Sequence, residues 1–500
     1  MYPYRRELNE AGFWPPLGLE FVAAVVQRYA GTLDLVDLRM ESGRTADFIR
    51  PETDLVCFSV NWDRDIEFLE EEIRSVPPGV LTIVGGRHAT ECPERWLKEF
   101  PNVTAVVRGD GEEAMEEICR GVPMAQIAGI SFRGDGGICH NPNRTLGKTQ
   151  DDLYPDRRLR RGAYVVTVKG VRTKLKVDSI ASSRGCPFNC TFCSFNRNPW
   201  GEKRGWTGRS AESVVDELAE MEAPLVGFTD DLVTHDMDRV EHICDLILSR
   251  GIRKKYVINA RLEIARRPDV LRKMERAGFF MLLLGVESAQ DKTLRSMRKG
   301  FDVAKIREYF QVLRHTRMIL HGYFILGCVG ETVDDMLAIA PFAKEIGLDT
   351  VGLSGLRHSP YSGLDELVAA SPGYHIADSG KVCSDHCSLT ALRQVRRQIH
   401  HQFYTPAQIA HIARKGLQGG GASLLPGILP YLPRIAVHWM AYAWRRFRRR
   451  AGKRHAHQAA AEGAGGHALG PIGPGQVAPN SVEPGSPNPA KSCQAVANTR

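Results

Sequence analysis

The feature that most constrains the fold is an alternation of short β-rich runs with helical patterns between residues 178 and 355. Such a series is typical of parallel strands joined by crossover helices. It predicts strands at 179–182, 225–229, 256–259, 281–286, 323–326 and 350–353, and helices at 211–221, 237–249, 269–277, 303–315 and 332–346. Six such units are too few for a closed eight-stranded barrel. The pattern therefore predicts an open, partial (β/α)6 barrel with ligand groups at the C-terminal ends of its strands.

A shorter α/β series occupies residues 1–140, and it predicts a flavodoxin-like sheet that binds ligands beyond its strand ends. The predicted strands are 33–38, 55–60, 80–84 and 105–108, and the predicted helices are 17–28, 66–75 and 111–119. Only fifteen residues precede the helix that starts at Pro16-Leu17, and they contain no apolar run. The central first strand of such a sheet is therefore missing from the pattern. Either the coding sequence begins further upstream, or another segment fills that position.

The remaining segments differ in composition from these two series. Residues 141–177 form a connector, residues 356–418 form a mostly helical extension, and residues 419–457 form a segment that begins with a glycine-rich break. Residues 458–500 are rich in Gly, Pro, Ala and Ser, a composition that predicts disorder.

Composition and charge exclude several classes of protein. The content of 43% hydrophobic and 25% charged residues is ordinary for a folded chain. The 66 basic and 58 acidic residues give a net charge of +8, and the eight basic residues of 424–457 account for the whole excess. Nucleic-acid binding by the main body is therefore unsupported. The sequence shows neither a signal peptide nor an apolar run of spanning length, which predicts a cytoplasmic protein whose clustered cysteines hold metal.

The strongest chemical signal is ArgGlyCysProPheAsnCysThrPheCysSerPhe at 184–195, on the loop after the first strand of the second series. Cys186, Cys190 and Cys193 have the spacing C-x3-C-x2-C. Three thiolates on one loop can bind three corners of a cubane iron–sulfur cluster and leave one iron open, whereas a structural zinc site closes with four ligands. The alternative is a zinc knuckle completed by a remote His or Cys.

This loop, with Phe192 directly before its third cysteine, resembles the signature of the radical S-adenosylmethionine (SAM) enzymes. The resemblance covers about residues 180–355. It implies that the three cysteines bind a [4Fe–4S] cluster whose open iron takes the amino and carboxylate groups of SAM. It also implies reductive cleavage of SAM to a 5′-deoxyadenosyl radical, with an electron donor such as flavodoxin or ferredoxin. The hard chemistry then belongs to the cofactors, which the protein orients.

The same resemblance implies SAM contacts at the ends of later strands. They are Thr229, Asp230 and Asp231 for the methionine moiety, Arg261 for its carboxylate, Glu287 and Ser288 for the ribose, and Ile325 and Gly327 for the adenine. Two departures stand out. GlyPheThrAspAsp at 227–231 replaces the commoner Gly-Gly-Glu, and the fifth-strand segment has one more residue before Glu331 than the common spacing. The alternative for the segment at 229–231 is that its carboxylates lie in a surface turn. The alternative for Arg261 is an ordinary arginine at the start of a helix.

The first series resembles the cobalamin-binding domain of one radical SAM subclass through its segments 15–20, 84–90 and 107–112. Glycines at strand ends let the backbone approach a bulky ligand, so Gly85, Gly86 and His88 are predicted cobalamin contacts. The Asp-x-His-x-x-Gly loop that supplies a cobalt ligand in many cobalamin proteins is absent, and neither His88 nor His140 has that context. The alternative is a generic flavodoxin-like domain.

The stretch 434–450 combines aromatic residues with an arginine cluster. It is too short to cross a bilayer, but aromatic and basic residues together suit the headgroup interface. This predicts peripheral contact with the inner face of the membrane and favours a lipid substrate. The alternative is a solvated helix end with a basic tail.

Together these features predict a cobalamin-dependent radical SAM methyltransferase that acts on an unactivated carbon of a small molecule or lipid. A hopanoid or other isoprenoid lipid is the more specific expectation. An anaerobic oxidative cyclase or rearrangement enzyme with the same cofactors is the alternative among enzymes. A non-catalytic cobalamin- or iron–sulfur-binding sensor is the alternative outside them. The sequence indicates no catalytic acid or base.

Overall fold

The computed structural model describes residues 1–4, 14–62, 66–144, 151–168, 170–193, 203–358, 362–377 and 379–440. They form two separate sheets with flanking helices, followed by a helical extension. Most of the aromatic and basic stretch 434–450, and all of the tail 458–500, lie outside these residues.

The first sheet has five strands in chain order. Its strands are β1 Leu55–Ser59, β2 Leu81–Gly85, β3 Ala105–Val107, β4 Ile130–Gly134 and β5 Gly137–His140, of which the first three are parallel and the last two antiparallel. The helices around it are α1 Leu17–Val26, α2 Ile66–Arg74, α3 Arg87–Glu91, α4 Pro93–Glu99 and α5 Glu112–Cys119. The parallel sheet expected from the sequence is present, and the β4–β5 hairpin extends it.

Residues 1–4 lie where the first strand of a flavodoxin-like sheet belongs. The Tyr2 amide donates to the Val36 carbonyl at 2.8 Å, and the Ser59 amide donates to the Met1 carbonyl at 3.1 Å. This short extended segment thus lies between residues 35–38 and β1, which gives the 2-1-3-4-5 order of flavodoxin-like folds. The second of the two alternatives left by the sequence therefore holds, because residues 1–4 fill the position of the first strand. Four residues are too few to show a periodic pattern.

The second sheet has seven strands. They are β6 Val165–Val168, β7 Val171–Ile180, β10 Leu225–Phe228, β11 Lys255–Ala260, β12 Phe279–Glu287, β13 Ile319–Leu326 and β14 Thr350–Gly355. The last six run parallel in chain order, and β6 is an antiparallel edge strand. A two-residue pair, β8 Ser183–Arg184 with β9 Thr207–Gly208, joins the two ends of the cysteine-bearing loop. The predicted partial (β/α)6 barrel is confirmed.

Helices cover one face of this second sheet. They are α6 Ala211–Glu220, α7 Met237–Ser249, α8 Pro268–Ala277, α9 Asp291–Ser296, α10 Val303–Leu313, α11 Val333–Leu337 and α12 Ile339–Ile346. The main core lies between these helices and alternate strand residues such as Ile258, Leu284 and Phe324. The intervening strand residues face the concave side of the sheet, because successive side chains of a strand point to opposite faces.

The extension packs against the end of the barrel. It consists of α13 Leu364–Ala369, the hairpin β15 Tyr374–Ile376 and β16 Val382–Ser384, α14 Leu389–Phe403 and α15 Pro406–Gln418. The fully buried Asp349 holds α15 to β14 through Lys415 at 2.6 Å and His411 at 2.9 Å. A 3-10 segment, Gly421–Gly427, then contacts β7 at Leu175.

Other 3-10 turns are Thr45–Phe48, Met124–Gln126, Arg157–Leu159, Val233–His235, Leu262–Arg266 and Leu429–Tyr431. Within the part of the chain that the structure describes, no helix combines the length and apolarity needed to cross a membrane.

The connector joins the two sheets through buried charges. The guanidinium of Arg160 donates to both carboxylate oxygens of Glu20, on α1, at 2.7 Å each, and to both oxygens of Asp178, on β7, at 2.9 Å each. Glu20 and Asp178 are only 2% and 3% exposed. An arginine that pairs with two buried carboxylates fixes the position of α1 against the barrel.

Candidate functional site

The cysteine loop leaves the barrel at the end of β7 and returns at β9. Cys190 is buried, and Cys186 and Cys193 are half-buried. Gly185, at φ +82°, contacts Gly205 on the returning arm so closely that no Cβ would fit there. The Thr191 amide donates to the Met297 carbonyl at 3.1 Å, which holds the middle of the loop against the segment after α9.

The chemistry of these donors fits an iron–sulfur cluster. Burial raises the pKa of the Cys186 thiol, and the guanidinium of Arg261 opposes that rise. Among the described residues, no three Cys, His, Asp or Glu side chains surround a single point closely enough for one metal ion. A cubane cluster spreads its thiolates over separate corners, and three thiols on one loop suit it.

The acidic residues after β10 hold the base of this loop. Asp230 is 2% exposed, and its carboxylate accepts from the Ser182 amide at 3.0 Å and from the hydroxyls of Ser182 and Ser183 at 2.7 and 2.5 Å. Burial raises the pKa of Asp230, and these donors oppose the rise. Asp231 accepts from the Gly185 amide at 2.9 Å, and the exposed Thr229 donates to the Ile180 carbonyl. Asp230 and Asp231 therefore contribute to loop structure, and Thr229, Asp230 and Asp231 remain predicted SAM contacts.

Arg261 lies at the mouth of the barrel beside the cysteine loop. Its guanidinium lies 3.6 Å from the centroid of the Phe188 ring and donates to the Lys299 carbonyl at 2.8 Å. It also pairs with Glu263 at 2.8 Å. A planar cation stacked on an aromatic ring is held in one orientation. Its role as a ligand of the methionine carboxylate stays a prediction.

Glu287 ends β12 in an unusual conformation. Its φ is +71°, and the register between β12 and β13 shifts at Gly285/Glu287. Its carboxylate accepts from the Lys299 ammonium at 2.8 Å, and both side chains are less than 10% exposed. A left-handed, buried glutamate is costly unless the site requires it, which supports a functional role. The sequence did not indicate Lys299, because the pair joins a strand end to a loop twelve residues further on.

The other predicted barrel residues lie along the same mouth. Ser288 is fully buried, and its hydroxyl accepts from the Gln290 amide at 3.1 Å. Ile325 packs in an apolar cluster with Leu356 and its neighbours. Gly327 has φ +77°, and its amide donates to Glu331 at 2.9 Å. Burial raises the pKa of Glu331 to about 7, while the backbone amides of Cys328 and Gly327 oppose the shift.

A cavity of about 500 Å3 lies between the C-terminal edge of the first sheet and the mouth of the barrel. Its lining includes the predicted residues Gly85, Gly86, Thr229 and Asp231, which the structure brings together. A Cβ on Gly86, which has φ +99°, would lie 2.7 Å from the Val60 carbonyl oxygen. This strand end therefore requires glycine, and the backbone itself forms the surface that a bulky planar cofactor would contact.

His88 does not line this cavity, although its neighbours Arg87 and Thr90 do. Its ring instead packs edge-on against Trp96, with 5.9 Å between ring centroids. The short helix α3 turns His88 away from the strand end, so the cavity gives no support to its predicted cobalamin contact. The described residues that line the cavity include no histidine.

Charged residues that the sequence analysis did not single out join the two sides of the cavity. Asp110, in the turn after β3, pairs with Arg204 at 2.6 Å and with Arg184 at 3.4 Å. Glu112 also pairs with Arg184. Arg184 and Arg204 lie on the two arms of the cysteine loop, so the first sheet contacts that loop on both arms. In the sequence, the turn at 107–112 was interpreted only through its glycines.

The first sheet has the 2-1-3-4-5 order and glycines at its edge, and it faces a partial barrel whose mouth carries a three-cysteine loop. This combination defines a class of enzymes that use two cofactors. Residues 180–343 match the family model described as the radical SAM superfamily, and residues 9–119 match the B12 binding domain. The chain is therefore an enzyme that contains a radical SAM domain and a B12-binding domain. Its cofactors are therefore SAM, a [4Fe–4S] cluster and cobalamin.

The curated relatives include methyltransferases and cyclases. The chain is 26% identical to an uncharacterized methyltransferase of Pyrococcus horikoshii, over 80% of this chain and 86% of that protein. It is 29% identical to the hopanoid C-3 methylase of Methylococcus capsulatus, over 60% and 58% of the two chains. It is 25% identical to the anaerobic magnesium-protoporphyrin IX monomethyl ester cyclase of Cereibacter sphaeroides, over 65% and 56%. The chain thus spans little more than half of the length of these last two relatives.

Two solved structures share the architecture. The radical SAM methyltransferase TsrM of Kitasatospora setae, with cobalamin and a [4Fe–4S] cluster bound, aligns with a TM-score of 0.64 at 15% identity over 81% of this chain and 88% of that chain. The cobalamin-dependent SAM radical enzyme OxsB, with aqua-cobalamin and SAM bound, aligns with a TM-score of 0.61 at 15% identity over 84% and 70%. At this identity the likeness shows the fold, and it agrees with the predicted fold class.

Proposed function

We propose that this chain is a cobalamin-dependent methyltransferase that adds a methyl group to an unactivated carbon of a small molecule. The observation that carries the proposal is the shared cavity. The cobalamin-binding edge of the first sheet, at Gly85 and Gly86, and the mouth of the barrel, at Thr229 and Asp231, line the same space. Methyl transfer needs both cofactors and the substrate within one enclosed site. The methyltransferases among the relatives support the same function.

The residues of the chain would bind and orient these groups. Cys186, Cys190 and Cys193 would hold the cluster, and the glycine-edged turns of the first sheet would hold the cobalamin. When bound, these cofactors supply radical generation from SAM and a transferable methyl group. Asp230 and its serine donors fix the base of the cysteine loop. Lys299 pairs with Glu287 at the mouth of the barrel, where the carboxylate can accept from sugar hydroxyls.

An oxidative cyclase is the second candidate. Anaerobic magnesium-protoporphyrin IX monomethyl ester cyclases of Cereibacter sphaeroides and Rubrivivax gelatinosus are relatives at 25% and 24% identity. A cyclase would use the same two cofactor sites but would not transfer a methyl group. The products derived from SAM therefore distinguish the two reactions.

The test is turnover without oxygen, in which 5′-deoxyadenosine and S-adenosylhomocysteine are both quantified. A methyltransferase releases both compounds, a cyclase releases the first without the second, and a sensor releases neither. The substitution Cys190→Ala should abolish 5′-deoxyadenosine formation, because the cluster loses one of its three thiolate ligands. Cys139→Ala, at an exposed cysteine of β5, is the control and should behave as the unmodified chain does. Methyl transfer is ruled out if S-adenosylhomocysteine stays at background while 5′-deoxyadenosine accumulates.

We also infer a cytoplasmic enzyme that takes electrons from a flavodoxin or ferredoxin, methylates an isoprenoid lipid and contacts the membrane through residues 434–450. The relationship to hopanoid methylases supports the lipid. Residues 432–440 are helical and carry exposed apolar side chains, among them Trp439 and Met440. The arginine cluster at 445–450 lies outside the described residues.

A further inference from the structure

The turn after α9, residues 296–301, holds the middle of the cysteine loop. The amide of Thr191 donates to the Met297 carbonyl at 3.1 Å, and its hydroxyl donates to the Ser296 carbonyl at 3.1 Å. Arg298 has φ +51°, a left-handed conformation that is unfavourable for residues other than glycine. Such a conformation persists where the surrounding contacts fix it. The cysteine loop therefore packs against a turn of fixed shape.

The same turn contacts the two barrel residues that are predicted to bind the carboxylate and the ribose of SAM. The Arg261 guanidinium donates to the Lys299 carbonyl at 2.8 Å, and the Lys299 ammonium donates to Glu287 at 2.8 Å. Thr191, Arg261 and Glu287 lie on three separate segments, which follow β7, follow β11 and end β12. The turn joins all three segments, and Lys299 makes two of the contacts.

The Lys299 ammonium occupies a confined position. The side chains of Lys299 and Glu287 are only 7% and 9% exposed. A Cβ on Gly285 would lie 2.7 Å from Nζ of Lys299 and 2.6 Å from Oε1 of Glu287, so the pair lies directly over this glycine. The ring centroids of Phe192 and Phe301 are 5.8 and 5.9 Å from the ammonium. Because Phe192 belongs to the cysteine loop, the ammonium lies between that loop and the Glu287 carboxylate.

Glu287 depends on Lys299 for its position. Among the described residues, the Lys299 ammonium is the only group that donates a hydrogen bond to this carboxylate. A nearly buried carboxylate that loses its donor and its ionic partner is destabilised, and it moves toward water or takes up a proton. Either change would alter the acceptor that is predicted to contact the ribose.

We propose that Lys299 is a positioning residue for SAM. It holds the Glu287 carboxylate at a fixed place relative to the cysteine loop, so that Glu287 contacts the ribose of the SAM molecule that the cluster binds. The inference rests on the SAM site of the proposed function, but it does not depend on the transfer of a methyl group. It concerns the coupling between two predicted contacts, and Lys299 acts through Glu287 without touching SAM itself.

The test measures SAM binding to the full chain, loaded with its cluster and kept without oxygen. Lys299→Met keeps the length of the side chain and removes its charge. We expect it to raise the SAM dissociation constant by about tenfold or more, because the buried carboxylate loses its donor. Lys299→Arg, which keeps a cation at this place, should recover most of the affinity. Lys305→Met, which breaks a surface pair with Glu308 on α10, is the control and should bind SAM as the unmodified chain does.

The electron paramagnetic resonance spectrum of the reduced cluster provides a second readout. In Lys299→Met the spectrum without SAM should be unchanged, because the three cysteines are intact. The change that SAM causes in the spectrum should require correspondingly more SAM. A general defect of the fold would alter the spectrum without SAM as well, which would contradict a positioning role.

A double variant shows whether Lys299 acts through Glu287. Glu287→Gln should weaken SAM binding by itself. Adding Lys299→Met should weaken it by no more than about twofold further, because the carboxylate that Lys299 positions is already absent. Two independent effects that multiply would overturn the proposal, since Lys299 would then act on SAM by another route. An unchanged SAM dissociation constant in either single variant would overturn it as well.

Gly285→Ala decides the result if Lys299→Met does not take up its cluster. The added Cβ displaces the ion pair but keeps both charges, so SAM binding should weaken while the spectrum without SAM stays unchanged. Unchanged SAM binding in Gly285→Ala would then overturn the proposal. No methyl acceptor is present in these measurements. Absence of S-adenosylhomocysteine during turnover would therefore contradict the methyltransferase assignment alone, and independent effects of Lys299 and Glu287 would contradict this inference alone.

Discussion

Asp110 joins the cobalamin-binding sheet to both arms of the cysteine loop, since it pairs with Arg184 on one arm and Arg204 on the other. Asp110→Asn keeps the size of the side chain, but it removes the ion pair of Arg204 and leaves Arg184 paired with Glu112 alone. We expect a loss of about 1–3 kcal/mol in loop stability. The cobalamin dissociation constant, from an absorbance titration, should rise, and the electron paramagnetic resonance spectrum of the reduced cluster should change. Asp135→Asn, in the exposed β4–β5 turn, is the control.

An unchanged dissociation constant together with an unchanged spectrum would contradict a positioning role for Asp110. A purely structural defect would lower the yield of folded protein, whereas the positioning role predicts altered cofactor signals in protein that retains its fold.

Among single residues, those with rare chemistry were predicted from the sequence, whereas those whose role depends on packing were not. The three cysteines were recognisable because three thiols at close spacing have few other uses. The Arg184–Glu112 pair joins residues 72 positions apart, and no local pattern reveals it. His88 is a different case. Its place beside two glycines suggested a ligand contact, the structure places its ring against Trp96, and the cobalamin contact stays a prediction.

Among the elements, the connector and its neighbours form the clearest unit, because Arg160 joins α1 to β7 through Glu20 and Asp178. Arg160→Met should lower the free energy of unfolding by about 3–5 kcal/mol, since the buried Glu20 loses its ion partner and the buried Asp178 keeps only Arg157. Burial already raises the pKa of Glu20, and Arg160 opposes that rise. Without Arg160, the Glu20 carboxyl holds its proton more tightly in the folded protein than in the unfolded chain. The stability of the variant therefore falls as pH rises.

The stability loss in Arg160→Met should therefore be larger near pH 7 than near pH 5, as measured by denaturant unfolding at both values. Arg158→Met, whose side chain is 89% exposed and pairs with Asp156, should leave stability nearly unchanged. Equal losses for the two variants, or a larger loss at the lower pH, would contradict the role assigned to Arg160.

Strands and helices were predicted correctly where the periodic pattern of apolar residues extends over several residues. The six parallel strands of the barrel and their helices were predicted because each spans several residues of one period. The segment at residues 1–4 has no period, and its place depends on the residues on either side of it. The strand predicted at 33–38 is reduced to single bridges at Leu35 and Asp37, because its partner is equally short.

For the whole molecule, charge separates the body from its C-terminal end. The net charge of +8 equals the eight basic residues of 424–457, so the rest of the chain sums to zero. If residues 434–450 bind an anionic membrane, each basic residue adds on the order of 1 kcal/mol, and salt weakens the attraction. A chain ending at residue 432 keeps the Gly421–Gly427 contact with β7 but loses all eight charges.

We expect the full chain to sediment with phosphatidylserine-containing vesicles at low salt, and the chain ending at residue 432 to stay in the supernatant. A chain ending at residue 457 retains the basic residues and should sediment as the full chain does, because residues 458–500 carry equal numbers of acidic and basic side chains. Vesicles of phosphatidylcholine alone separate charge attraction from apolar insertion by Trp439 and Met440. If the shorter chain sediments as well as the full one, the membrane contact lies elsewhere on the body, and the basic stretch is a solvated tail.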